Sequence, residues 1–257
     1  MTVPSPELVA RLRAAGCVFA EEEAALLTEA AGSAAELEAL VARRVAGEPL
    51  EQLLGQVEFA GLRLAVGPGA FVPRQRSRLL LAEAVRRCRP GDRVVELCCG
   101  VAAIGAALLE ARPGIELVAS DVDPAPLVYA RLNLEPRGGR VLQGDLFDAL
   151  PAVLRGTLAL VVANAPYVPT AEIPLMPVEA REHEPRIALD GGPDGLGLAR
   201  RIVAEAPGWL APAGSLLIET SGRQAPELAA IMAAAGLEPE VLRDEEPDAT
   251  AVAGRMP

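Results

Sequence analysis

From Pro73 onward the chain alternates short β-branched or leucine-rich runs with helical stretches, a pattern that few architectures accommodate. Residues 93–98 read as a strand, followed by a helix over about 102–111; residues 115–121 read as the next strand. Asp123-Pro124 then opens a helix, a capping residue followed by proline at the first helical position. Further strands are expected at 140–143, 158–164 and 215–220, helices near 196–206 and 227–235, and two closing strands within 239–254. Such alternation implies an α/β fold, a parallel sheet covered on both faces with its ligands at the carboxyl ends of the strands.

The front of the chain has a different texture. Leu8 and Leu12, then Leu26 and Leu27, then Leu37, Leu40 and Val41 recur at helical spacing between Glu and Arg. Ser33 followed by Glu36 is a capping-box pattern. Gly47 and Pro49 stop the last of these helices. Phe59-Ala60-Gly61-Leu62 lies between two short alternating runs and suggests a hairpin. The expected organisation is a helical domain over 1–48, a hairpin linker over 49–72 and the alternating domain over 73–257. The front part looks like a cap or a substrate-recruiting unit.

Composition narrows the function. Hydrophobic residues make up 51% of the chain, enough for a proper core, but aromatics only 3%, so Ala, Val, Leu and Ile must fill it. The net charge of −11 disfavours a general affinity for nucleic-acid phosphates and serves solubility. Every basic residue but one histidine is Arg, which points to a GC-rich bacterial genome. With no long apolar run and no signal-like N-terminus, the chain is expected to be cytoplasmic, without a membrane partner. Cys17, Cys88, Cys98 and Cys99 match no zinc spacing, and adjacent Cys98 and Cys99 would strain a disulfide; reduced thiols and no metal are expected.

Two segments carry the chemistry. In Val94-Val95-Glu96-Leu97-Cys98-Cys99-Gly100 a strand breaks into small residues at a helix N-terminus, which allows a ligand close to the backbone. Asp121 ends the second strand, where a carboxylate can accept both hydroxyls of a ribose. Asp145 ends the third, where an adenine would lie. Singly, each acid is as ordinary as a helix cap; in this order they describe a nucleoside site, and the missing dinucleotide glycine fingerprint disfavours NAD. The second segment is Val161-Val162-Ala163-Asn164-Ala165-Pro166-Tyr167, an apolar strand ending at the cleft. Asn before Pro is also an ordinary turn. The functional alternative is that the Asn164 oxygen and a backbone carbonyl accept the two N–H groups of a planar nitrogen, favouring the charge that develops as it attacks. Pro166 would hold Ala165 extended, and Tyr167 would offer a flat stacking face. His183, Cys98, Cys99 and Trp209 read more simply as packing residues.

The chain resembles the HemK-like protein-(glutamine-N5) methyltransferases, bacterial enzymes that modify release factors and, in a sister group, a ribosomal protein. The likeness runs through Gly47-Glu48-Pro49-Leu50, Val72-Pro73-Arg74, Asp121-Val122-Asp123-Pro124 and Asn164-Ala165-Pro166-Tyr167. It continues in Glu184-Pro185 and the stretch Leu189-Asp190-Gly191-Gly192-Pro193-Asp194-Gly195-Leu196, the most family-specific of all. Asn164-Ala165-Pro166-Tyr167 replaces the family's Asn-Pro-Pro-Tyr and marks a variant branch. The usual glycine-rich turn keeps only its middle glycine, in Cys98-Cys99-Gly100-Val101-Ala102. Gln75-Arg76-Ser77-Arg78 replaces Pro-x-Thr-Glu, which exchanges an acid near the cofactor's amino group for a base.

The resemblance implies a seven-stranded class I methyltransferase sheet behind a small helical domain. It implies S-adenosylmethionine as cofactor, held by Glu96, Cys98, Gly100, Ala102, Asp121, Val122, Asp145, Leu146 and Asn164. It also implies catalysis by Asn164, Pro166 and Tyr167, with Ala165 completing the substrate site. The expected partner is a protein, of the translation-factor or ribosomal-protein type, whose glutamine amide is methylated. The alternatives are an N-methyltransferase for a nucleic-acid base or a small-molecule nitrogen, and a degenerate fold that serves only to bind a partner.

Overall fold

The computed structural model describes residues 4–246 and 248–257. Three helices open the chain, α1 (Pro6–Ala14), α2 (Ala20–Ala30) and α3 (Ala34–Val45), and the short α4 (Leu50–Leu54) follows. Ser5 and Ser33 cap α1 and α3 by accepting the amides of Leu8 and Glu36 at 3.2 Å. The Glu36 carboxylate reaches back to the Gly32 amide at 2.8 Å, one residue before the cap. Leu8, Leu12, Leu27 and Val41 bury together with Ala20 and Ala24, and Leu50, Leu53 and Leu54 pack on the same cluster. Where a hairpin linker was expected from residue 49, the chain first makes α4, which shares the apolar cluster of the front helices.

The hairpin itself pairs β1 (Gln56–Phe59) with β2 (Leu62–Ala65). Ala60 (φ 49°) and Gly61 (φ 80°) form its two-residue turn, whose left-handed backbone matches the twist of the strands. The hairpin is fastened to the next domain by Asn133, whose side chain accepts from the Ala65 amide at 2.7 Å and donates to the Ala65 carbonyl at 2.9 Å.

The rest builds one seven-stranded sheet. In chain order it comprises α5 (Arg78–Arg87), β3 (Arg93–Leu97), α6 (Ala103–Ala111), β4 (Glu116–Asp121), α7 (Pro124–Leu134), β5 (Arg140–Gln143), β6 (Leu158–Ala163), α8 (Val178–His183), α9 (Gly197–Glu205), β7 (Leu210–Thr220), α10 (Ala225–Ala234), β8 (Glu238–Asp244) and β9 (Ala249–Arg255). The strand order is β5-β4-β3-β6-β7-β9-β8. The first five of these run parallel, as the alternation implies, while β9 pairs antiparallel with both β7 and β8, so the seven-stranded sheet is mixed at that end. The reversal is local: β8 and β9 follow one another with no crossover helix, and only a hairpin can join them.

Each central strand feeds two cores. Val94, Leu160, Val162 and Leu217 face the layer of α5, α6 and α7. Val95, Leu97, Val161, Leu216 and Ile218 face the layer containing Phe147, Trp209, α9 and α10. Trp209 is buried, stacks on Phe147 at 5.4 Å and lies beneath the Arg155 guanidinium, the packing role expected of it. From β3 the chain winds outward through β4 and β5, then returns to the other side at β6. This switch point opens a crevice at the strands' carboxyl ends. No described helix is long and apolar enough to cross a membrane.

Candidate active site

A cleft of about 660 Å³ occupies that crevice, and the residues singled out at the ends of β3, β4 and β6 converge on it. Beyond β3, Cys98 and Gly100 adopt left-handed backbones (both φ 52°), so the chain turns sharply before α6. A Cβ built at Gly100 meets no atom within 4 Å, so the space there belongs to the cleft. Asp121 holds the turn: its carboxylate accepts from the Gly100 amide and from the Asp123 amide, each at 2.9 Å. Burial pushes the Asp121 carboxyl up, while the amides of Asp123 and Gly100 pull it back. Each oxygen still has a lone pair to offer a hydroxyl.

Glu96 lies below the turn, buried, and accepts from the Gly105 amide at 2.9 Å in the first turn of α6. Burial pushes it up to about 8 against the pull of the Gly105 and Ile104 amides. Val122, Pro126 and Leu146 supply apolar surface, and Asp145 lines the far side. The Asp145 carboxylate is already paired with Arg201 at 2.7 Å, a cleft residue that local sequence gives no reason to select. Ala102 departs from expectation. It is fully buried at the start of α6 (φ 57°) and shapes the turn, while Val101 and Ala103 beside it line the cleft. Burial drives the Cys98 and Cys99 thiols well above their ordinary range, so neither is a nucleophile at neutral pH.

Asn164, Ala165, Pro166 and Tyr167 follow β6 directly and all line the same cleft. Asn164 Nδ2 donates to the Ser77 hydroxyl at 3.1 Å, which leaves its oxygen for another partner. Among the described residues no N–H or O–H group donates to the Ala165 carbonyl. Tyr167 donates its hydroxyl to Glu219 at 3.4 Å, and burial, ahead of the Glu219 charge, pushes it up to about 12.

The glycine-rich stretch after Leu189 clamps this segment from behind. Gly191 donates its amide to the Val168 carbonyl at 2.9 Å, the Val168 amide bonds the Leu189 carbonyl, and Thr170 donates to Asp190 at 2.5 Å. A Cβ at Gly191 would stand 2.7 Å from the Pro166 carbonyl oxygen. Gln224 donates to the carbonyls of Tyr167 and Asp194, both at 2.9 Å, and ties the two strands of chain together.

Arg74, at the cleft wall, meets both oxygens of buried Glu184 at 2.7 Å. Arg78 is exposed and does not line the cleft; the base that enters it from this loop is Arg76. His183 lies outside the cleft with Nε2 3.2 Å from the Ala46 carbonyl, a contact between α8 and the front helices. Among the described residues no cluster of His, Cys, Asp or Glu is arranged to hold a metal ion. Ser77, Arg76, Arg201 and Glu219 are the site residues that sequence reasoning missed.

Residues 72–178 match the methyltransferase small domain family. A release factor glutamine methyltransferase of Deinococcus radiodurans is 40% identical over 250 residues, covering 94% of this chain and 88% of its own length. The chain belongs to this family. A second such methyltransferase, from Geobacter sulfurreducens, is 39% identical over 188 residues, and the match spans 72% of this chain but only 65% of that relative. A Streptomyces pristinaespiralis relative, 36% identical over 76% of this chain and 69% of its own, is a 4-amino-L-phenylalanine/4-methylamino-L-phenylalanine methyltransferase.

Among solved structures, a methyltransferase from Pyrococcus furiosus superposes with a TM-score of 0.58 over 83% of this chain and 96% of its own, at 18% identity, a likeness of fold. The family's cofactor is S-adenosylmethionine, and the cleft suits it: a carboxylate with spare lone pairs for the ribose, apolar walls at Val122, Pro126 and Leu146, and an open backbone turn at Gly100.

Proposed function

We propose that this protein methylates the side-chain amide nitrogen of a glutamine in a protein substrate of the release-factor type, in the cytoplasm. The observation that carries the reading is the Asn164 oxygen open to the cleft, beside an Ala165 carbonyl with no donor among the described residues and the Tyr167 ring. Asp121, Gly100, Val122 and Leu146 would hold S-adenosylmethionine, which would supply a sulfonium-activated methyl group and leave as S-adenosylhomocysteine. An amide nitrogen is a weak nucleophile because its lone pair is delocalised into the carbonyl. The Asn164 oxygen and the Ala165 carbonyl accept its two N–H groups, hold it in line and stabilise the positive charge that grows on it. Tyr167 contributes its face: its hydroxyl stays protonated and engaged with Glu219. No strong base is required, since a nitrogen-methylated amide cation releases its proton to water. The front helices serve in this reading to recruit the substrate.

A second reading, methylation of a free aromatic amine, is favoured by the Streptomyces pristinaespiralis relative, whose substrate nitrogen is likewise planar. The test is to supply a recombinant peptide-chain release factor and, separately, 4-amino-L-phenylalanine, and to locate the added methyl group by mass spectrometry. The expected result is one methyl on a single glutamine of the release factor, with kcat reduced by about 10²–10³ in Asn164→Ala. Transfer to the free amino acid alone would replace the first reading by the second.

A further inference from the structure

The Asn164 side chain is useful only in one of its two orientations, because an amide turned over would present N–H donors to a substrate that also offers donors. What decides the orientation lies one layer behind the cleft. Ala163 on β6 is level with Ile218 on β7, so Asn164, just past the end of β6, follows beside Glu219, the penultimate residue of β7. Glu219 is buried, 3% exposed, and does not line the cleft. Its Oε1 receives the Tyr167 hydroxyl and lies 3.4 Å from Arg76 Nε, while among the described residues its Oε2 has no donor.

Ser77 reaches Asn164, and the residue before it, Arg76, pairs with Glu219. The Ser77 oxygen accepts from Asn164 Nδ2, and the hydroxyl's own proton has no other acceptor among the described residues. Burial pushes the Glu219 carboxyl up, while Ser77, Arg76 and Tyr167 pull it back toward the ionised form. The carboxylate lacks one donor and the hydroxyl lacks an acceptor, so the two are complementary.

We infer that Glu219 is a positioning residue for the reaction, which sets the orientation of Asn164 through the Ser77 hydroxyl. A carboxylate can only accept, so Ser77 must point its proton at Glu219. With that proton committed, the Ser77 oxygen can only accept from Asn164, and the Asn164 oxygen is turned to the substrate. The same acceptor-only carboxylate commits the Tyr167 hydroxyl as donor and fixes the ring. Arg76, which lies 5.9 Å from the Tyr167 ring centre and pairs with Glu219, offsets the charge that burial would otherwise discourage. Replacing the carboxylate by an amide reverses the logic. In a Glu219→Gln protein the new side-chain NH2 can donate to Ser77, which then donates to Asn164 and turns its amide over.

The inference rests on the acceptor role of Asn164, so its test has one arm that needs no substrate. The chain contains just two asparagines, Asn133 and Asn164, so asparagine-selective 15N labelling gives two side-chain NH2 pairs, assigned with Asn164→Ala. Glu219→Gln and Ser77→Ala are expected to shift the Asn164 pair and speed its exchange with water while leaving the Asn133 pair in place. An Asn164 pair unchanged in Glu219→Gln overturns the inference, with Ser77→Ala, which removes the direct partner, setting the size of shift to look for; if Glu219→Gln does not fold, Glu219→Leu, which removes the acceptor, is read in its place with the same refuting outcome. The kinetic arm measures methyl transfer to a release factor. Both variants should lose about tenfold in kcat, the worth of one hydrogen bond, with KM for the release factor and affinity for S-adenosylhomocysteine within twofold. Ser77→Thr, which keeps the hydroxyl, should rescue the loss. Equal falls in kcat and cofactor affinity would mean mere structural damage and refute the positioning role. If the wild-type protein methylates no release factor, the substrate reading fails, while the resonance arm still decides this one.

Discussion

Gly195→Ala tests whether the glycine-rich stretch builds the Asn164-to-Tyr167 segment or merely follows it. Gly195 has φ +77°, a left-handed backbone that costs an alanine about 1–2 kcal/mol. The added Cβ would also collide with the Tyr167 carbonyl and the Gln224 side-chain amide, one of them rigid backbone. To relieve the clash, the two segments must part, and the Gln224 bonds to Tyr167 and Asp194 are lost at about 1 kcal/mol each. The sum is about 3–4 kcal/mol, a fall in Tm of roughly 6–16 °C at about 2–4 °C per kcal/mol for a chain of this size. The functional consequence is separable from the thermal one. Asn164 and Tyr167 retreat with their segment, and a displacement near 1 Å costs about 10² in turnover. Asp121 and the Gly100 turn, at the other end of the cleft, are untouched. The assay is therefore paired: calorimetric titration with S-adenosylhomocysteine, expected to stay near the wild-type value, and kcat on a release factor, expected to fall about 10²-fold. A folded Gly195→Ala protein with wild-type kcat would refute the clamp.

Three further outcomes follow from the same geometry. Asp121→Asn keeps one acceptor oxygen but loses the charge, and should weaken S-adenosylhomocysteine binding by about 30-fold, or roughly 2 kcal/mol; unchanged affinity would remove the ribose role. Arg201→Ala frees the Asp145 carboxylate from its 2.7 Å partner, and calorimetry should show a severalfold change in the same affinity if Asp145 takes part in cofactor binding. Glu96 couples stability to pH: burial raises it to about 8 in the folded chain from an ordinary 4.5, so the folded state keeps a proton that the unfolded state sheds between those values. Stability should therefore fall as pH rises through about 5 to 8, with a contribution of up to about 1.4 kcal/mol per unit, and level off above. Glu96→Gln cannot ionise, so its Tm should decline less steeply over that range; parallel curves would show that Glu96 does not titrate there.

How much of this was legible depended on whether the cause is local in sequence. The alternation after Pro73 marked the strands to within a few residues, because each strand is an apolar run and each stop is chemical. Asp123 caps α7 by accepting the Ala125 amide at 2.9 Å, and Ala60-Gly61 makes the hairpin turn. Asp121, Asn164 and Tyr167 were visible because strand ends are where such a sheet places its ligands. The antiparallel end of the sheet was less legible, since β8 and β9 look like any other strands until their pairing is known. Ser77 and Glu219 were hidden for a stronger reason. Ser77 lies 87 residues from Asn164, and a Glu near the end of an apolar strand carries no local sign that it will be buried close to the Asn164 segment. Ala102 was misplaced because a left-handed backbone turns its methyl away from the cleft, and dihedral angles are not written in residue type.

The turn after β3 joins these observations. A methyltransferase turn usually draws on glycines for its backbone, yet here Cys98 and Ala102 take left-handed conformations, as does Leu146 across the cleft. Each costs about 1–2 kcal/mol relative to a relaxed residue, a strain that persists only where surrounding bonds over-determine the chain. Those bonds are present and come from different elements. Asp121 on β4 holds the Gly100 amide, Asn133 on α7 donates to the Val101 carbonyl at 2.9 Å, and Glu96 on β3 holds the Gly105 amide. The Cys99 amide bonds the Ser120 carbonyl at 3.0 Å. The loss of glycine is thus matched by a buried polar frame that leaves the turn few alternative shapes. In the proposed site the frame and the cofactor would share Asp121, so binding would add hydroxyl donors to a carboxylate that is already desolvated and fixed. Such a site gives up little conformational freedom on binding, and its affinity depends on the frame as much as on the residues that touch the ligand.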